Sequence, residues 1–309
     1  MLYPGEMGVA VASALIAGGW SVCSHLESRS PASRAAAEAT GITQLGSLDE
    51  VVAAVDLVIS LVPPAAAEEV ARAVAAAARD TGRQPMYLDL NSVAPDTVKS
   101  VANALAASGL ECTDGAFVGS AADLGGHTSL YLSGPRAAEL VATLPESLHA
   151  TRLGGEVGSA SAFKLAFAGF NKSLVALFLE VMGAAELTGK PAELLSCLRA
   201  FYPGTIETVE RLLPSYPKHA ARRAVELDEL ARWLESERRD PAWAEAARDT
   251  LSRYAALSID GERRWTFAEA LAAWFSGAPR WQAGDPQSPP HLPAPVDTGS
   301  STRDDSRSQ

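Results

Sequence analysis

Three observations predict an α/β protein in which a doubly wound parallel sheet is followed by an all-α domain. Short apolar runs alternate with alanine-rich helical patterns through the first half of the chain, the signature of β-α-β units. After about Thr151 only helical periodicity remains. From roughly Gly277 the composition turns to Pro, Gly, Ser, Asp and Arg, with few apolar residues to offset the entropy of ordering. We expect domains over 1–152 and 153–276, and a disordered tail over 277–309.

Taken in order, the strand candidates are Ser21 to Leu26, Leu57 to Val62, Met86 to Leu90, Glu111 to Thr113 and Ser129 to Ser133. Helices are expected at Gly8 to Ala17, Pro31 to Ala39, Ala66 to Arg79, Pro95 to Ala107 and Arg136 to Leu144, several with proline at the first turn. The expected order is β-α-β throughout. The second domain reads as helices at Gly158 to Leu187, Pro191 to Phe201, Thr205 to Leu213, His219 to Glu237, Pro241 to Leu257 and Phe267 to Phe275.

The 309 residues are 47% hydrophobic, enough for a core in each domain. A net charge of −11 without any basic cluster excludes a nucleic-acid surface and favours a small-molecule partner. Cys23, Cys112 and Cys197 are odd in number and far apart, which fits a reducing cytoplasm. The stretch Met7 to Leu26 lacks formal charge, but Glu6 precedes it and Gly18-Gly19 divides it. We read a helix, a turn and a strand there, not a membrane span or signal. His25, His127, His149, His219 and His291 show no metal spacing, so no metal is assigned, and His127 is read as a loop or surface residue.

Tyr3-Pro4-Gly5-Glu6-Met7-Gly8 has the G-x-G-x-x-G spacing with Tyr3 in place of the first glycine. Such glycines let backbone approach a pyrophosphate at the positive end of a helix, so the segment predicts a Rossmann-type dinucleotide loop; a plain turn before a helix is the alternative. The turn Glu27-Ser28-Arg29-Ser30 follows the strand that would meet the adenosine ribose. Arg29, with Ser28, Ser30 and Arg34, suits the 2′-phosphate of NADP, while Glu27 would favour NAD. We expect NADP. A loop of this kind follows a buried strand of about five residues, and only Met1-Leu2 precede Tyr3. The expectation is that the natural chain starts a few residues upstream.

Several segments together resemble the β-hydroxyacid dehydrogenase and 6-phosphogluconate dehydrogenase superfamily, across roughly residues 1 to 260. They are Pro4 to Gly8, Ser28 to Pro31, Leu61 to Pro64, Asp89 to Pro95, Asp114 to Ser120 and Gly155 to Lys164. The resemblance implies that Pro4, Gly5, Glu6, Met7 and Gly8, then Val62 and Pro63, lie along the cofactor, and that Asn91 and Ser92 line the nicotinamide pocket. Asn91-Ser92 could also cap the helix ahead of Pro95.

By the same resemblance Lys164 is the catalytic residue. A desolvated lysine has its pKa lowered, which suits it to give or take the proton that accompanies hydride transfer; a lone lysine on such a helix otherwise reads as snorkelling. The family's asparagine four residues on is Ala168 here. Asn171, almost two full turns from Lys164 at about 100° per residue, can face the same cleft. Lys172 could bind a carboxylate but reads better as facing solvent or a partner. In the substrate segment the family's serine is Val118, followed by Gly119 and Ser120. The resemblance also implies a homodimer formed by the helical domain. The expected function is an NADP-dependent oxidoreductase for a small hydroxy acid or related alcohol, the alternatives being an imine reductase or a non-catalytic NADP-binding protein.

Overall fold

The computed structural model describes residues 1–27, 29–257 and 259–277. Ser28 and the expected tail beyond Gly277 lie outside the described residues. Strand β1 (Cys23–Ser24) pairs in parallel with β2 (Thr43–Gln44). A five-stranded sheet runs in sequential order through β3 (Leu57–Ser60), β4 (Met86–Asp89), β5 (Cys112–Val118), β6 (Ser129–Ser133) and β7 (Ala150–Gly154).

Met1 and Leu2 stand between the two sheets. Leu2 N donates to Ile59 O at 2.7 Å and Leu61 N to Leu2 O at 2.5 Å. The Met1 ammonium donates to Cys23 O at 2.6 Å, and Ser24 Oγ to Met1 O at 2.7 Å. These two residues therefore take the central strand's place and complete a doubly wound order. Burial pushes the Met1 amine down to about 6.

Helices α1 (Glu6–Ala17), α2 (Pro31–Thr40), α3 (Leu48–Ala54), α4 (Ala67–Thr81), α5 (Pro95–Ala106) and α6 (Ala137–Thr143) cover the sheet. Successive strand residues point to opposite faces: Val58 and Tyr87 join Val74, Val98 and Leu105 on one side, while Ile59 and Leu88 join Val11, Leu15 and Leu140 on the other. Each fully buried leucine or valine contributes about 1.5–3 kcal/mol relative to exposure. The uncharged stretch from Met7 is α1, a turn at Gly18-Gly19 and then β1.

Three expectations need correction. Strand β6 runs antiparallel to β5, because the short segment between them holds only a 3₁₀ turn at Ala121–Asp123 and a parallel return needs a longer crossover. Strand β5, expected over Glu111 to Thr113, runs from Cys112 to Val118 and takes in most of the segment from Asp114 to Ser120. The sequence reading also missed β2, α3 and β7. Thr43 and Gln44 are exposed, α3 is seven residues long, and β7 is a mixed polar strand, so none offers a strong periodic signal.

The second domain consists of α7 (Ser159–Leu187), α8 (Pro191–Phe201), α9 (Pro203–Leu212), α10 (Tyr216–Ser236), α11 (Ala242–Ala255) and α12 (Phe267–Gly277). Helix α7 is long and apolar enough to cross a membrane, with a mean hydropathy of 1.5. Here its Val175, Leu179 and Met182 join Leu227, Leu230, Leu251, Tyr254 and Trp274 in the core of the helical domain.

Candidate cofactor and catalytic site

Helix α1 begins at Glu6 with Gly5 as its extended N-cap and no side chain closing its first turn. The first N–H groups of a helix have no intrahelical partner. A Cβ built on Gly5 would meet nothing within 4 Å, so open space lies beside those donors. This fits the pyrophosphate of a nicotinamide dinucleotide. Gly5 and Glu6 are exposed and Met7 is half-buried, whereas Pro4 and Gly8 are buried and shape the turn.

Tyr3, the departure from the glycine pattern, is a platform. The Arg29 guanidinium lies 3.7 Å from the centroid of its ring, and Arg29 Nε has no hydrogen-bond partner among the described residues. Arg34 Nη1 holds the turn by donating to Glu27 O at 3.2 Å and Arg29 O at 2.9 Å. Ser30 accepts from Ser33 N at 3.2 Å, so its hydroxyl caps α2.

At the carboxyl ends of β3 and β4, Asn91 is buried with both amide atoms engaged. Its Oδ1 accepts from Val62 N at 2.7 Å, and its Nδ2 donates to Asp89 Oδ2 at 2.9 Å and Ser60 Oγ at 3.1 Å. What Asn91 gives the cleft is therefore the shape of the Leu61–Pro63 loop. Burial pushes Asp89 up to about 7, against the pull of the two Asn91 donors. Val62 is buried and Pro63 exposed. Ser92 is exposed and lines an interdomain cleft of about 280 Å³ with Pro64 and Thr97, facing Glu229, Arg232 and Trp233 of α10.

Val118 ends β5 half-buried, and Gly119 and Ser120 follow it, both exposed. Thr128 Oγ1 straps this segment, accepting from Ser120 N and donating to Ser120 O, both at 2.9 Å. Gly119 has φ 136°, and a Cβ there would lie 2.1 Å from Thr128 Oγ1, so only glycine permits the strap. His127 is exposed and pairs with Asp123 at 3.4 Å, which makes it a surface residue.

Asp114 of β5 caps α7. Its Oδ2 accepts from Gly158 N at 3.0 Å, Ser161 N at 2.9 Å and Ser133 Oγ at 3.1 Å, and its Oδ1 from Ser161 Oγ at 2.7 Å. Ser133 Oγ in turn accepts from Ala160 N at 2.9 Å. A buried carboxylate thus meets the orphan donors and the positive end of the helix. It ties the first turn of α7 to the sheet, and Lys164 follows one turn later. Burial holds the half-buried Lys164 ammonium below the ordinary lysine range. Glu226 and Asp114 oppose that shift, and Lys172 adds to it.

Asn171 lies half-buried further along α7. Lys172 corrects the expectation of a solvent- or partner-facing lysine: it is 8% exposed. Its Nζ pairs with Glu226 Oε2 at 2.9 Å and donates to Ala168 O at 3.3 Å. At the position of the missing asparagine the backbone carbonyl is thus occupied by Lys172. Sequence reasoning missed Ser133, Ser161, Thr128 and Glu226, whose partners lie 27, 47, 8 and 54 residues away by direct count along the chain; only the [S/T]-x-x-K run at Ser161 offered a local hint.

Residues 4–144 match the family described as the NAD binding domain of 6-phosphogluconate dehydrogenase, and residues 185–254 match a domain of unknown function, DUF1932. No curated protein matches the sequence. Among solved structures, a conserved hypothetical protein from Sinorhizobium meliloti 1021 is 25% identical with a TM-score of 0.73, over 89% of this chain and 94% of that one. Conserved protein MTH1747, described as structurally similar to 3-hydroxyacid dehydrogenases, is 28% identical with a TM-score of 0.69, over 81% and 95%. Mycobacterium tuberculosis 3-hydroxyisobutyrate dehydrogenase shares the fold at 17% identity with a TM-score of 0.68, over 88% and 99%.

Proposed function

From a chain whose residues 4–144 match the NAD binding domain of 6-phosphogluconate dehydrogenase, we propose an NADP-preferring oxidoreductase that acts on a small hydroxy acid or related alcohol, with Lys164 as proton donor and acceptor. The observation that carries this reading is the anchoring of α7 by Asp114, which ties the turn before the half-buried Lys164 to the sheet. Ligands of open α/β sheets bind at the carboxyl ends of the strands.

When bound, the nicotinamide supplies or accepts the hydride. The open N-terminus of α1 would hold the pyrophosphate, and Arg29, steadied by Tyr3, would meet the 2′-phosphate. In reduction Lys164 gives its proton to the carbonyl oxygen of the substrate as the alcohol forms, and in oxidation it takes that proton back. Asn171 and the Val118–Ser120 segment would orient the substrate, and Asn91, by holding Val62, would shape the loop that receives the nicotinamide. Partial burial lowers the hold of Lys164 on its proton relative to an ordinary lysine, which eases the transfer in both directions.

A second reading, reduction of an imine, draws on the apolar Val118 at the position of the family's serine. A third, cofactor binding without catalysis, draws on Ala168 and Val118. We also propose a cytoplasmic homodimer. The apolar stripe of α7 includes Phe163 and Phe167, and Phe170 and Leu177 are each 63% exposed. Phe170 and Leu177 line a groove with Trp243 of α11, and burial of such a stripe against a second copy is a common fate of exposed apolar patches.

The test is fluorescence titration with NADPH and NADH, followed by turnover on panels of hydroxy acids and cyclic imines with the wild type and Lys164→Met. NADPH-selective binding, alcohol turnover, and its loss in Lys164→Met with cofactor affinity preserved support the proposal. Full turnover in Lys164→Met sinks the proton role, and binding without turnover on either panel favours the non-catalytic reading.

A further inference from the structure

The seam between α7 and α10 holds a buried lysine, Lys172, against a half-buried carboxylate, Glu226. Gly169 lies against Leu230, where a Cβ would approach the leucine Cδ2 to 2.2 Å, so the two helices are pressed together. Within this contact Lys172 Nζ pairs with Glu226 Oε2 at 2.9 Å. Arg222 pairs with the other Glu226 oxygen. Arg223 lies 4.0 Å from the Tyr216 ring centroid, with Nη2 donating to Ser215 Oγ at 2.9 Å. Lys172 is the buried member of this pair and the Glu226 side chain is 30% exposed, and an ion pair drawn out of water is generally no more stabilising than apolar residues of the same volume.

Its position suggests a use. Lys172 folds back to the carbonyl of Ala168, which is about 6 Å along the axis from Lys164 at 1.5 Å per residue. Lys164, Ala168 and Lys172 are spaced four apart on one face of α7, so the carboxylate partner stands on that face about one turn along from Lys164. The charged groups facing Lys164 are Lys172 on its own helix, Glu226 on α10 and Asp114 on β5; Arg222, Arg223, His219 and Tyr216 flank Glu226. Asp114 already accepts four hydrogen bonds from Ser133, Gly158 and Ser161. Glu226 is thus the carboxylate less committed to capping a helix.

We propose that Glu226 is a positioning residue that sets the proton affinity of Lys164, and that Lys172 holds its carboxylate in place. The functional meaning rests on the reading of Lys164 as proton relay, but the charge relationship does not. Glu226 stabilises the Lys164 ammonium, and the Lys172 ammonium destabilises it. The two therefore act on Lys164 with opposite sign.

The chain has only five lysines, Lys99, Lys164, Lys172, Lys190 and Lys218, so NMR titration of the full-length protein labelled at the lysine ε-carbons yields a small, assignable spectrum, with Lys164→Met identifying the signal. Glu226→Gln is expected to lower the Lys164 midpoint by about one pH unit and Lys172→Met to raise it by a similar amount. A purely structural role would not give shifts of opposite sign. Glu226→Asp, which keeps the carboxylate, should restore most of the wild-type midpoint, and it serves as the test if Glu226→Gln fails to fold. An unmoved midpoint in Glu226→Gln, or shifts of one sign in both variants, overturns the proposal. If the midpoints move as expected while Lys164→Met keeps full turnover, the charge relationship stands and the catalytic reading falls.

Discussion

Asp114 and Ser161 are joined twice, the Ser161 hydroxyl reaching Oδ1 at 2.7 Å and the Ser161 amide reaching Oδ2 at 2.9 Å. The pair welds the central sheet to the helix that carries Lys164. Hydrogen bonds to a charged group are each worth about 1.5–3 kcal/mol. Ser161→Ala keeps the amide bond and should cost ~1–2 kcal/mol. Asp114→Ala uncaps Gly158 and Ser161 together and should cost ~3–5 kcal/mol. Urea denaturation measures both, and values within about 0.5 kcal/mol of wild type would remove the weld from the account.

Asp89 predicts a pH dependence with a definite sign. Its ordinary value is 3.8, and burial raises it to about 7 in the folded protein. Between these values the folded state holds a proton that the unfolded chain has lost. The contribution is therefore fully present below about pH 4 and fades as pH rises toward 7, at ~1.4 kcal/mol per pH unit at most. Asp89→Asn should abolish this part. The unfolding free energy of wild type minus that of Asp89→Asn should fall between pH 4 and 7, and a flat difference would show that Asp89 is ionised throughout.

Much of this was legible in the sequence. Gly5, Gly8 and the alternating apolar runs announced the first domain, because glycine spacing and strand burial are local properties. Lys164 was legible only through its resemblance to a family pattern. Glu226 and Thr128 were not legible, since nothing local ties Glu226 to Lys172 or Thr128 to Ser120 until tertiary packing brings them together. Lys172 was misread for the same reason: a lysine on an apolar helix reads as solvent-facing until its carboxylate partner on another helix is known.

Arg29 should discriminate between the two nicotinamide cofactors. Stacked on Tyr3, its guanidinium is presented beside the turn after β1. Arg29→Ala should weaken NADPH by roughly tenfold or more, the scale of one charge-assisted hydrogen bond, and NADH by less than about threefold. Tyr3→Ala keeps the charge but removes the platform, and should weaken NADPH by only about two- to fivefold, the scale of an exposed cation–π contact. Fluorescence titration reads all of these, and equal losses for both cofactors in Arg29→Ala would place the 2′-phosphate elsewhere.

Gly119 and Thr128 make the last prediction. At Gly119 a side chain would have to adopt φ 136° and stand 2.1 Å from Thr128 Oγ1 and 2.7 Å from Thr128 Cα. Because one of those atoms is backbone, trimming Thr128 cannot relieve the overlap. Gly119→Ala should therefore cost ~2–4 kcal/mol, from backbone strain together with displacement of the segment. Thr128→Val keeps the bulk but loses both bonds to Ser120, and should cost only ~1–2 kcal/mol. Thermal melts should rank wild type above Thr128→Val, and Thr128→Val above Gly119→Ala. The reverse order of the two variants would mean that the hydrogen bonds, and not the steric fit of glycine, hold the Val118–Ser120 segment in place.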